Sequence, residues 1–147
     1  MTIYQVRRRV ACYVTRATDR GRELLVFDHA EDDPDDPSGT QVPAGGRLPF
    51  SALAEDAVRE TEEETGLSGL VFVRALGAVQ VAAGEPGGPS VTDYVHLEAP
   101  ADSPASWEHT VSGGDDDGLV FSCRWEPLPL TLRLAGEQDA FLAELAG

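Results

Sequence analysis

An α/β fold, with a mixed β-sheet packed between helices, is what this sequence predicts, and three observations lead there. Runs rich in β-branched and aromatic residues recur between turn clusters along the 147 residues. Helical periodicity is confined to Ser51–Thr65 and Gly136–Leu145. Five or so strands with one central and one terminal helix do not alternate as a parallel doubly wound sheet requires, so the sheet is expected to be mixed. The length suits one domain spanning residues 1–147, large enough to bury a real core.

In chain order, Val6–Thr15 reads as the first strand and Glu23–His29 as the second, joined through the turn-like Ala17–Gly21 into a hairpin. Alternation puts Arg7 and Arg9 on one face of the first strand and Arg8 on the other. A solvated strand end is the bland reading of these arginines; the functional one is that Arg7 or Arg9 binds a substrate phosphate. Glu31–Gly39 is a proline-broken acidic loop. It lacks the alternate acids and late glutamate of an EF-hand, and is read as a surface loop. Gln41–Pro43 reads as a short strand feeding Ala44-Gly45-Gly46, where glycine lets the backbone approach a ligand closely.

Ser51–Thr65 follows, with Ser51 read as its N-cap and Gly66 as its left-handed stop. At 3.6 residues per turn, Glu60, Glu63 and Glu64 fall within roughly 100° of one another. Leu53, Ala54, Ala57, Val58, Thr61 and Thr65 form the adjoining arc to be buried, and Glu55 and Glu62 point outward. Glu60 and Glu64 therefore border the core, where clustered anions are tolerable only with protons or cations between their oxygens. A divalent metal is the simplest solution. An exposed acidic helix face is the competing reading, since glutamate is a good helix former.

Beyond the helix, Leu70–Ala82 reads as a long strand bent at Gly77, Gly84–Pro89 as a loop and Ser90–Leu97 as a strand with Asp93 and His96 on opposite faces. Glu98–Gly118 is taken as a polar loop holding Trp107, Glu108, His109 and the run Asp115, Asp116, Asp117. Leu119–Trp125 is the last strand, and Gly136–Leu145 a short amphipathic helix with Phe141, Leu142 and Leu145 inward.

The stretch GGRLPFSALAEDAVRETEEETGL, Gly45–Leu67, resembles the signature of the Nudix hydrolases, G-x5-E-x7-R-E-U-x-E-E-x-G-U with U a bulky aliphatic. Gly45, Arg59, Glu60, Glu63, Glu64, Gly66 and Leu67 fall in register without gaps, seven of the nine fixed positions. The departures are Thr61, where the family has an aliphatic, and Ser51, where it has a glutamate that supports the metal site or pairs with the arginine.

The resemblance implies a Nudix-like α/β/α sandwich with a mixed sheet and a loop-helix-loop catalytic motif. It implies Mg²⁺, or Mn²⁺, held by Glu60, Glu63, Glu64 and the carbonyl of Gly45, with Arg59 orienting a glutamate. The reaction implied is cleavage of the diphosphate linkage of a nucleoside diphosphate joined to another moiety. Glu63 or Glu64 is the first choice for the general base, and Glu108, Asp115, Asp116 or Asp117 the second. Trp107 is a candidate for stacking on a base, or a packing anchor. The alternative is a Nudix-like regulatory domain that binds a nucleotide or metabolite with little or no hydrolysis, a reading that Ser51 favours. Many members of the family are dimers, so a homodimer is implied, although no stretch of the sequence marks its interface.

Composition narrows the partners. Acidic residues number 26 against 11 basic ones, a formal net charge of −15, which argues against non-specific attraction to nucleic acid or an anionic membrane. No apolar run approaches the ~18 residues of a membrane span. Cys12 and Cys123, each in an apolar run, are expected to be free buried thiols, and with no secretory leader in the opening residues the expected compartment is the cytoplasm.

Overall fold

In the computed structural model, which describes residues 5–35 and 37–145, the first β-branched run becomes β1 (Arg7–Thr18), and the rest of the sheet is registered on it. It turns at Asp19 and Arg20 into the antiparallel β2 (Gly21–His29), with Thr15 opposite Leu24. β3 (Ala44–Gly46) pairs antiparallel with the first half of β1, Val10 opposite Gly45. One edge of β1 is therefore shared between two partners.

The other edge runs parallel to β5 (Ser90–Glu98), with Ala11 beside Tyr94. β4 (Val71–Val81) lies outside β5, with register shifts around Phe72–Arg74 and Ala75–Gly77, the bend expected at Gly77. On the far side β7 (Val120–Pro127) pairs with β2, and β6 (Ser106–Thr110) forms the edge. The order β4-β5-β1-β2-β7-β6, with only β1 and β5 parallel, makes the sheet mixed as predicted.

Alternation along these strands produces two cores. Val10, Cys12, Val14, Leu25, Phe27 and Phe121 face α1 (Leu53–Thr65), which buries Ala57 against them. Ala11, Tyr13, Leu24, Val26 and Tyr94 face the opposite way, under Val42, Leu134, Phe141, Leu142 and Leu145. These are the two covered faces of the sheet, with α1 on one and the C-terminal segment on the other.

Four local expectations are corrected. Gln41–Pro43 makes only an isolated bridge, Gln41 to Phe27, and the strand lies one step later at Ala44–Gly46. Pro43 has no N–H for a ladder, though its carbonyl accepts from Cys12 N at 2.8 Å. The polar loop Glu98–Gly118 contains β6, whose order comes from pairing with β7 rather than from its own pattern.

Gly136–Leu145 is not an α-helix; only Leu142–Leu145 forms a 3₁₀ turn. Phe141, Leu142 and Leu145 still pack on the sheet. The backbone that a helix would use is taken by the sheet: Tyr13 Oη donates to Gln138 O at 2.5 Å and accepts from Phe141 N at 3.1 Å, while Tyr94 Oη donates to Glu137 O at 3.0 Å. A segment this short has little helical stability of its own to oppose them.

The fourth correction is Ser51. α1 starts at Leu53 from Ala52, which has extended φ −77° and ψ 150° and supplies no side-chain cap. The Ser51 hydroxyl instead meets the Asp56 carboxylate at 2.6 Å and the Leu48 carbonyl at 3.0 Å. Donating to a buried, ionised acceptor fixes the hydroxyl where it caps no first-turn N–H. The other end follows expectation: Gly66 has φ 74° and its N–H reaches Glu62 O at 2.9 Å. Among the described residues no helix is long and apolar enough to cross a membrane.

Candidate active site

The acidic edge of α1 packs against β3. Glu64, 4 % exposed, accepts a hydrogen bond from Ala44 N on Oε1 at 2.7 Å. Glu60, 8 % exposed, lies so close to the strand that a Cβ on Gly45 would stand 2.0 Å from its Oε2. Close approach, rather than an unusual φ, requires glycine here.

Burial pushes Glu64 up to about 8; the Ala44 N–H opposes this and the neighbouring Glu60 and Asp116 reinforce it. Glu60 is raised by burial as well, against the pull of Arg59 and with a push from Glu63. The predicted border position of these two glutamates on the helix is what the structure has, with Glu55 and Glu62 exposed.

Opposite them stands the loop between β6 and β7. Gly113, Gly114, Asp115 and Asp116 join Arg9, Ala44, Gly45, Gly46, Glu60 and Glu64 around a cleft of about 50 Å³. Asp117 holds the loop's shape by accepting from Gly113 N at 2.7 Å. Glu63 is not among the residues lining the cleft; its carboxylate lies 3.7 Å from Arg59 Nε, and a Cβ on Gly113 would stand 3.4 Å from it. Its own carbonyl accepts from Ser112 N at 3.2 Å and lies 3.1 Å from His109 Nε2, which ties the loop to the end of α1.

Arg9 and Ala44 also line a neighbouring cavity of about 410 Å³, with Arg7, Gln41, Thr92 and Tyr94. Alternation thus keeps Arg7 and Arg9 together, whereas Arg8 reaches Asp93 at 3.9 Å. Trp107 and Glu108 stand apart. The Trp107 indole N–H donates to Thr65 O at 2.7 Å and its ring lies 6.4 Å from that of Trp125, so it anchors the end of α1 to the sheet. Glu108 is 3.5 Å from Ser122 Oγ on the neighbouring strand.

Asp56 and its partner Arg47 escape the sequence reading. Asp56, with no exposed surface, receives Arg59 Nη1 at 2.6 Å, Arg47 Nε at 2.8 Å and the Ser51 hydroxyl. Burial by itself would raise its carboxyl, but these hydrogen bonds from Arg47, Ser51 and Arg59, with one from Leu48 N, hold it well below the usual carboxylate range. Arg59 continues the chain of contacts to Gly46 O at 2.9 Å and Glu60 Oε1 at 3.2 Å. A signal was available: Asp56 is three residues before Arg59 and four before Glu60, on one helical stripe with both.

Among the described residues no three Asp, Glu, His or Cys side chains already form a geometry able to hold a metal ion. The chemistry of the donors nevertheless fits a hard cation. Glu60 and Glu64 are buried carboxylates whose ionisation is resisted, facing a cleft too narrow at Gly45 for a single added methyl. Magnesium takes few protein carboxylates and completes its shell with water and phosphate oxygens, so a ready three-acid cage is not required.

The sequence model of the NUDIX domain matches residues 5–145 of the chain. Comparison with curated proteins finds no match. Among solved structures, a mutT/nudix family protein from Listeria innocua aligns at 19 % identity and TM-score 0.65, over 95 % of this chain and 90 % of its own. The NUDIX domain of Shewanella oneidensis NrtR, solved with ADP ribose, aligns at 15 % identity and TM-score 0.65, covering 97 % and 88 %. A C. elegans Ap4A hydrolase aligns at 16 % identity and TM-score 0.65, covering 96 % of both chains. At these identities the likeness is one of fold.

Proposed function

The chain belongs to the NUDIX domain family, and on that premise we propose that it is a divalent-metal-dependent hydrolase cleaving the diphosphate linkage of a nucleoside diphosphate joined to another group. The observation that carries this reading is that two neighbouring spaces share Arg9 and Ala44 as walls: a small cleft lined by Glu60 and Glu64, and a larger cavity beside it. The ADP ribose of the NrtR domain and the Ap4A named for the worm hydrolase support a small nucleotide derivative as the ligand.

Glu60 and Glu64 would hold Mg²⁺ or Mn²⁺, with Glu63 and the Gly45 carbonyl as further oxygen donors. Such an ion, when bound, screens the diphosphate, polarises a P–O bond and lowers the pKa of a water. Arg9, at the junction of the two spaces, binds a phosphate oxygen, and Arg7 extends the positive wall in a chain that is elsewhere repulsive to anions. The attached group occupies the cavity beside Tyr94 and Thr92.

For the proton of the attacking water, Glu63 and the loop residues Asp115 and Asp116 are the candidates. Glu64 already accepts the Ala44 N–H, and Asp117 the Gly113 N–H. Glu63 is favoured because Arg59 Nε, 3.7 Å away, orients its carboxylate.

A second reading, a domain that binds such a ligand without hydrolysing it, is favoured by Ser51 in place of the signature glutamate. One assay separates the two: nucleoside diphosphate derivatives with Mg²⁺ or Mn²⁺, comparing wild type with Glu63→Gln. Metal-dependent turnover lost in the variant supports hydrolysis, saturable binding without turnover supports the binder, and neither binding nor turnover overturns both.

A further inference from the structure

We infer that Asp56 is the positioning residue of this site, its carboxylate taking the place of the glutamate that the Nudix signature has at position 51. The inference rests on the hydrolase reading for its catalytic consequence, but its structural basis is independent of it. Asp56 is wholly buried, and three side-chain donors converge on it: Arg59 Nη1 at 2.6 Å, Arg47 Nε at 2.8 Å and Ser51 Oγ at 2.6 Å. Leu48 N approaches its Oδ1 at 3.4 Å. A buried carboxylate with this many donors is held in one orientation, and it holds its partners in return.

The partner that matters is Arg59. Its guanidinium is planar, with five N–H groups in a fixed fork. Once Nη1 is fixed on Asp56, Nη2 falls on Gly46 O at 2.9 Å and Glu60 Oε1 at 3.2 Å, and Nε points toward Glu63 Oε1 at 3.7 Å. One guanidinium therefore sets the distance between α1 and β3 and the orientation of the cleft's Glu60 and of Glu63 beside it. Without an anion behind it, Arg59 is free to fold forward onto Glu60 and Glu63, neutralising the groups the site needs negative.

Position 51 explains why the carboxylate sits on the helix. The Ser51 hydroxyl ends 2.6 Å from Asp56 Oδ1, so the side chains of residues 51 and 56 reach the same pocket from different directions. A glutamate at 51 would extend into the space the Asp56 carboxylate fills. Serine at 51 and aspartate at 56 thus form one exchange: the carboxylate moves five residues along the chain and stays beside the arginine, and the hydroxyl left at 51 becomes one of its donors.

The test is a four-protein cycle of wild type, Asp56→Ala, Ser51→Glu and Ser51→Glu/Asp56→Ala, with Asp56→Asn as a shape-preserving substitute if Asp56→Ala does not fold. Each is read in steady-state kinetics with Mg²⁺ and the best nucleoside diphosphate derivative, and by ¹⁵N NMR of the Arg59 Nε–H, assigned by its loss in Arg59→Lys. Asp56→Ala is expected to lower kcat about 10²-fold with little change in KM, as for a catalytic group displaced by about 1 Å, and to expose the Arg59 Nε–H to solvent exchange. The double variant restores both readouts, while Ser51→Glu alone impairs them by crowding two carboxylates into one pocket.

A protected Arg59 signal together with wild-type kcat in Asp56→Ala overturns the inference, as does a double variant no better than Asp56→Ala in either readout. Absence of turnover in wild type refutes the hydrolase reading alone, and the NMR cycle still decides Asp56.

Discussion

Gly45→Ala is the sharpest perturbation available, because one methyl group is aimed at one carboxylate. The added Cβ would lie 2.0 Å from Glu60 Oε2 and 2.3 Å from its Cδ, against the 3.4 Å at which ordinary contact begins. Glu60 must therefore retreat by about 1.4 Å, more than the roughly 1 Å misplacement that can cost 10²-fold in rate. Gly45 is not among the positive-φ glycines, so the backbone accepts alanine. Loss of unfolded-state freedom even contributes about 0.4–1 kcal/mol in favour of the fold, offsetting the weakened contact of Glu60 with Arg59.

The expected result is a split: turnover down at least about 10²-fold and Mn²⁺ affinity reduced, with thermal stability within about 1 kcal/mol of wild type. Steady-state kinetics, Mn²⁺ titration followed by electron paramagnetic resonance, and thermal melts read the three quantities on one preparation. Wild-type turnover and Mn²⁺ affinity in the variant would refute the reasoning, since Glu60 would then have moved without consequence.

Metal-free protein should lose stability as pH rises. Glu64 keeps its proton to about 8 when folded and to an ordinary 4.5 when unfolded, so between these values the native state binds more protons and each step upward favours unfolding, by at most about 5 kcal/mol in all. Melts in EDTA from pH 5 to 8 should show the decline, Glu64→Gln should flatten it, and a wild-type profile already flat would count against the burial argument. Thr61→Val should stabilise by up to about 1 kcal/mol, because the buried Thr61 hydroxyl has at most the weakly hydrogen-bonding Cys12 thiol for a partner among the described residues; a lower denaturation midpoint for the variant would contradict this. Trp107→Phe removes the indole bond to Thr65 O and should cost about 1 kcal/mol of stability while leaving KM unchanged. A raised KM would restore Trp107 as a substrate contact.

The acidic stripe was legible because it is a matter of local geometry: 3.6 residues per turn assign faces to Glu60, Glu63 and Glu64 before any packing is known. Gly45 and Gly66 were legible for a similar reason, each being read at a point where a Cβ is costly. Ser51 was misread because N-capping is a local rule, and the local rule lost to a buried anion one turn away. β6 and the Gly136–Leu145 segment were misread because their form depends on partners far along the chain, β7 for the first and the Tyr13 and Tyr94 hydroxyls for the second.

What the sequence determined by itself was the strands β1, β2, β4, β5 and β7 and the amphipathic helix α1, with its acids spaced along a single edge; these follow from periodicity within a dozen residues. Tertiary structure alone decided that Arg47 and Ser51 join Arg59 on Asp56, that Asp115 and Asp116 line the same cleft as Glu60 and Glu64, and that Arg9 borders both that cleft and a cavity. Periodicity fixes where a side chain points on its own element, whereas the meeting of β1, β3, α1 and the β6–β7 loop depends on burying two sheet faces at once, a condition no single stretch contains.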